Sequence, residues 1–172
     1  GALQALVESQ SLMADTALAR FHALAHGDAL VLDKWFGIQA AAPEPVPGVT
    51  EGQPGAAFAK AKALLQHPDF SIRNPNRARS LLSVLFTANP AAFHRADAAG
   101  YVLWAEKVLE LDAINGHVAG RMARAMDRWA SLAEPYRSAA REAIARVAAK
   151  ADLTNDVREV VTRALDNAKE QA

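Results

Sequence analysis

The chain contains no cysteine, which removes disulfides, thiolate metal sites and cysteine nucleophiles together. It also lacks net charge, because 19 Lys and Arg balance 19 Asp and Glu. With no global field, nothing draws it to a lipid surface or to nucleic acid, and association driven by counterion release is disfavoured. Aromatic residues are 6% of the chain, too few for a base-stacking platform. No apolar run approaches the ~20 residues of a membrane span, and the N-terminus lacks a basic-then-apolar signal pattern. These absences suit a cytoplasmic protein without nucleic-acid or membrane partners. The chain opens at Gly1 rather than Met, which is compatible with a piece of something longer.

Strand signals are missing as well: there is no sustained period-2 alternation and no Asn-Gly hairpin between β-branched runs. What remains is alanine-rich and helical, in 172 residues that can bury a real core. The punctuation predicts a first helix over Ala2 to Gln10 and a second over Ser11 to Ala25, with Gly27 after it. Asp28 suits the N-cap of a third helix. Residues 43–55, PEPVPGVTEGQPG, are Pro- and Gly-rich and read as a long loop. A helix before Pro68 follows, then one with Asn74 as N-cap and Pro75 at the first position, ending near Ala88. Asp97 starts the next, with Tyr101, Trp104, Val108 and Leu111 on one stripe. His117 to Leu132, Pro135 to Lys150 and a last helix capped by Thr154 or Asn155 complete the set. The expected fold is all-α, with residues 1–172 as one helical-repeat domain. Eight or nine helices in antiparallel pairs recurring at ~40 residues point to an armadillo- or HEAT-like solenoid, with a globular bundle as competitor.

Catalytic motifs are scarce. His22 and His26 stand four apart, a ligand spacing on a helix, but Ala23 occupies the place of the Glu in His-Glu-x-x-His. No carboxylate at a fixed helical spacing completes a site, so the pair reads as surface and no metal ligand is assigned. There is no Gly-x-Ser-x-Gly elbow, no Gly-rich phosphate loop and no Ser–His–Asp set, so no catalytic residue is expected in this chain.

Arginines are the anomaly. RNPNRARSLLSVLF, residues 73–86, sets three of them beside a nearly unbroken apolar run. Arg77 and Arg79 lie ~200° apart around a helix, so one reaches solvent while the other points into the fold or a cavity. Both sit in the first turn, where the helix dipole disfavours positive charge. A partner carboxylate on a neighbouring helix would explain the inner one; so would an anion subsite built with free helix N–H groups. His117, Arg121, Arg124 and Arg128 fall at i, i+4, i+7 and i+11, one side of one helix, opposite Val118, Met122, Met126 and Trp129. That row is either a solvated face or, beside the Arg79 helix, a concave wall for an anionic peptide end.

Four stretches together resemble the C-terminal helical domain of bacterial aminopeptidase N, of the gluzincin zinc metallopeptidases: LVLDKWFGIQA (30–40), LLQHPDFSIRNPNRARSLLSVLFTANPAAFH (64–94), GYVLWAEKVLELDAIN (100–115) and VAGRMARAM (118–126). The resemblance implies a right-handed α-superhelix attached to a catalytic domain of the same polypeptide, which holds zinc and removes N-terminal residues from peptides. It implies that this domain closes the substrate chamber and its channel. Carried onto this sequence, the residues that contact the peptide beyond the scissile bond are Asn76, Arg79 and Arg121. His117 stands where close relatives carry Gln, and it joins them as a fourth candidate. The zinc motif is not in this chain, so the fragment alone is expected to be inactive and to carry no cofactor. The alternative function is a free-standing helical scaffold that binds a protein partner along its groove.

Overall fold

The computed structural model describes residues 1–50 and 52–169, and every regular element among them is helical. The chain separates into two compact units, Gly1–Ala92 and Phe93–Ala172.

In the first unit, α1 (Ala2–Glu8), α2 (Ala14–Leu24) and α4 (Ala56–Leu64) pack directly or in series onto α3 (Ala29–Ala40). α3 is apolar on nearly every side, which suits an inner helix: Phe36 and Ala40 are wholly buried, and Trp35 donates its Nε1–H to the Leu18 carbonyl at 3.0 Å. Asp28 caps it, accepting from the amides of Leu30 and Val31 at 2.9 and 3.1 Å. Past its C-terminus, Asn89 closes the other end, donating Nδ2–H to the carbonyls of Ala40 and Ala42 at 3.0 and 2.7 Å. The described residues between Ala40 and α4 contain no helix, yet Glu44 reaches out of them to accept from the amides of Gly55, Ala57 and Phe58.

The arginine-bearing stretch forms α5 (Pro75–Ala78), a π-helical turn (Arg79–Ser83) and α6 (Val84–Ala88), followed by a short α7 (Pro90–Phe93). A single α-helix from Asn74 to Ala88 is therefore corrected: one wide turn interrupts it where Leu81 and Leu82 bury completely against α3. The packing is close, since a Cβ on Gly37 would stand 3.4 Å from the Ser80 carbonyl oxygen. The second helix is also shorter than its pattern suggests, starting at Ala14 because Ser11 Oγ accepts from the Met13 amide at 3.2 Å in a turn of its own.

The second unit is built from α8 (Ala99–Asp112), α9 (Gly116–Ala123), α10 (Tyr136–Ala148) and α11 (Asn155–Lys169). α8 packs on α9 and α10, and both of these pack on α11. The Tyr101–Trp104–Val108–Leu111 stripe is the buried face of α8, and Ile144 and Val147 are buried on α10, which packs on it. A helix running from His117 to Leu132 is not found. α9 stops at Ala123 and gives way to 3₁₀ turns at Arg124–Met126 and Trp129–Ser131. The tightened turns swing Trp129 into the core, where its Nε1–H meets the Ala164 carbonyl at 2.9 Å. With these breaks the described residues hold eleven α-helical segments.

Candidate functional site

In the first unit, Asn74 sets the geometry by accepting from the amides of Asn76 and Arg77 at 3.1 and 3.2 Å, with Pro75 in the first turn. The two arginines of this turn then part company. Arg77 is the interior one: Nε donates to Asp33 Oδ1 at 2.6 Å, Nη1 donates to the Asp69 carbonyl, and the guanidinium lies 5.1 Å from the Phe36 ring centre. Its anomaly is settled by a carboxylate 44 residues away in sequence, a partner no local pattern could reveal. Arg79 is exposed, and its Nη2–H bonds Asn76 Oδ1 at 3.1 Å. Two of the candidate residues therefore form one small polar unit at the surface, with the guanidinium's remaining donors turned outward.

In the second unit, Asn115 caps α9 by accepting from the Val118 amide at 3.2 Å. His117, Arg121 and Arg124 share one side of that element and line an open cleft of ≈ 390 Å³ with Gly120, Asp156, Glu159 and Val160. Gly120 makes the cleft wall possible. A Cβ there would stand 3.1 Å from the Asp156 side chain and 3.2 Å from its backbone, so α9 and α11 approach as closely as glycine permits. Asp156 and Glu159 face the arginines, yet among the described residues neither Arg121 nor Arg124 makes an ion pair within 4.0 Å. The cleft thus sets free guanidinium donors opposite two carboxylates, of which Glu159 already accepts from Arg163 Nη1 at 3.4 Å. Arg128, expected on the same row, lines a different hollow with Asp127, Trp129 and Asn167. Each 3₁₀ residue advances about 120° against about 100° in an α-helix, which rotates Arg128 off the row.

The histidine pair is corrected too. α2 ends at Leu24, and His26 lies beyond it with φ 45°, exposed, so the two rings do not share a helical face. His22 instead meets Asp69, its Nε2 standing 2.7 Å from Oδ2. His94 and Tyr101 form a further pair, His94 Nδ1 lying 2.9 Å from the Tyr101 hydroxyl. Burial holds His94 below its ordinary value, and burial, then the neighbouring Tyr136, pushes Tyr101 up to about 12.

Comparison with known proteins gives these residues a context. The family described as "Domain of unknown function (DUF3458_C) ARM repeats" matches residues 1–166. Aminopeptidase N of Caulobacter vibrioides is 34% identical over 96% of this chain, and aminopeptidase N of Escherichia coli is 33% identical over 95%. The chain spans 18% of the length of each, and the part it resembles is their C-terminal domain. Among solved structures, that of Legionella pneumophila aminopeptidase A in complex with aspartic acid superposes with a TM-score of 0.82 at 27% identity, covering 96% of this chain and 18% of that one. The chain belongs to the DUF3458_C family of ARM-repeat domains.

Proposed function

We propose that this chain is the non-catalytic C-terminal domain of a zinc aminopeptidase, closing the substrate chamber and channel over the catalytic domain of the same polypeptide. In this reading Asn76, Arg79, His117 and Arg121 contact the peptide beyond the scissile bond. The observation that carries it is the cleft beside α9, where Arg121 keeps its guanidinium free of Asp156 and Glu159. An arginine held open in a wet hollow avoids full desolvation and still presents a bidentate donor set to a carboxylate. Arg79, oriented by Asn76, has the same capacity. The similarity to aminopeptidases N and A supports a peptide as the anion.

The catalytic zinc of such an enzyme requires His-Glu-x-x-His. His22 is followed by Ala23, so the residues here do not fit that ion's site, and hydrolysis falls to the remainder of the polypeptide. The isolated chain is then inactive. Among the described residues no helix is long and apolar enough to cross a membrane, which is compatible with a cytoplasmic setting.

The test uses the full-length enzyme that carries this segment. A charge-assisted hydrogen bond contributes about 1.5–3 kcal/mol, so Arg121→Ala or Arg79→Ala should lower kcat/KM for di- and tripeptides by about 10- to 100-fold. Amino-acid arylamides, which lack the peptide carboxylate, should be cleaved nearly as before. Equal losses on both substrate types would remove the proposed role.

A further inference from the structure

The turn after α4 brings together side chains that the sequence keeps apart. From Leu64 the chain winds through two tight bonds, the His67 amide to the Leu64 carbonyl at 3.1 Å and the Phe70 amide to the His67 carbonyl at 2.8 Å. This turn aims His67 and Asp69 to one side, with His67 Nδ1 3.7 Å from Asp69 Oδ2. His22, on the last turn of α2, completes the group at 2.7 Å from the same oxygen. One ligand atom from each of the three residues lies within 4.8 Å of the others.

We propose that His22, His67 and Asp69 form a binding site for a divalent transition-metal ion of the zinc and nickel class. Two imidazoles and a carboxylate with no thiolate suit these ions, whereas magnesium and calcium call for oxygen-rich sets. Three protein ligands leave a fourth position for water or an exogenous group, and the side chains are accessible enough for it, at 33%, 26% and 39% exposure. Ligand atoms at 2.0–2.1 Å from a tetrahedral ion stand roughly 3.4 Å apart. The distances of 2.7 and 3.7 Å bracket that spacing, so small side-chain shifts admit the ion.

Tautomers are compatible. His67 Nδ1 spends its one lone pair on the Asp69 N–H at 3.1 Å, so coordination through that nitrogen exchanges this hydrogen bond for the metal bond. In the neutral His22 ring the proton that faces Asp69 moves to Nδ1, and Nε2 becomes a ligand. No group is oxidised or reduced.

The site is also preorganised. The His22 and His67 rings pack against Trp35 at 4.7 and 5.1 Å between centres, and against each other edge-on at 5.3 Å. The backbone of Asp69 is tied by its carbonyl to Arg77, itself fixed by Asp33. Rigid support of this kind separates a binding site from three groups that merely happen to be close.

The contact with Trp35 supplies a readout independent of enzymatic activity. Zinc titrated calorimetrically into the 172-residue chain should bind saturably at one ion per chain, and nickel should quench the Trp35 fraction of the fluorescence. Asp69→Asn keeps an acceptor for His22 but is a poorer ligand; it and His67→Gln should each weaken both signals by about 10-fold or more. His26→Ala should leave them unchanged. Trp35→Phe should keep the zinc stoichiometry and lose the quench. Circular dichroism of each variant establishes that it is folded, and should His67→Gln fail that check, Asp69→Asn carries the comparison. Zinc binding weaker than about 1 mM, undiminished binding in folded Asp69→Asn, or loss of binding in His26→Ala would overturn the proposal.

Discussion

Replacing Arg77 with Ala removes a cation that three features of the first unit depend on. Its side chain is 6% exposed and that of Asp33 15% exposed, so truncation strands a carboxylate where water reaches it poorly. It also leaves the Asp69 carbonyl without its guanidinium donor and takes the guanidinium from the face of Phe36. Breaking a buried pair from one side costs about 3–5 kcal/mol, a large share of the ~5–15 kcal/mol that holds a typical domain. Arg77→Lys should recover only part, because one ammonium cannot reproduce a fork that serves Asp33 and the Asp69 carbonyl together. Removing both charges, as Arg77→Met with Asp33→Leu, should cost less than Arg77→Ala alone. The remaining cost is the orphaned carbonyl, about 1–3 kcal/mol. Urea unfolding followed by circular dichroism, with tryptophan fluorescence as second probe, gives all of these differences and the coupling between the two sites. An Arg77→Ala cost below about 1 kcal/mol, or a double variant equal to the sum of its singles, would refute the assignment of Arg77 to structure.

Three other outcomes follow from the hydrogen bonds and burial above. Glu44→Ala should cost about 0.5–2 kcal/mol, since it uncaps the start of α4, and urea midpoints against Glu44→Gln would separate capping from charge; an unchanged midpoint would show the cap to be idle. Burial depresses His94 below 6.5 and raises Tyr101 from 10.0 to about 12. Between the folded and unfolded values of His94 the unfolded chain binds more protons, so its contribution is present above pH 6.5 and is lost as pH falls below that. For Tyr101 the folded chain keeps its proton longer, so stability should drop as pH rises past 10 toward 12. Thermal melts across both ranges, with Tyr101→Phe flattening the alkaline limb, check the signs.

Local rules carried the fold a long way. Capping residues fixed real helix starts at Asp28 and Asn74, because a side-chain oxygen two or three residues from an amide needs no tertiary partner. The α8 stripe was equally plain, since an amphipathic period survives whatever the helix packs on. Helix interruptions were not legible. The π turn at Arg79–Ser83 lies against α3, and the 3₁₀ turns after Ala123 lead into the burial of Trp129 beside α11. Local propensity says nothing about either neighbour.

The sites divide in the same way. Residue types and spacing alone raised the Arg77 and Arg79 question and the row of His117, Arg121, Arg124 and Arg128, excluded a His-Glu-x-x-His centre, and required one of Arg77 and Arg79 to turn inward; Asn76, Arg79, Arg121 and His117 came forward as peptide contacts through the resemblance to aminopeptidase N. Which one turned was decided by Asp33, and the grouping of His22 with His67 and Asp69 by a turn that reaches back across 47 residues. Periodicity along a chain encodes the direction each side chain leaves its own helix. The charge or ring that it meets there is contributed by another segment, and only packing brings the two within bonding distance.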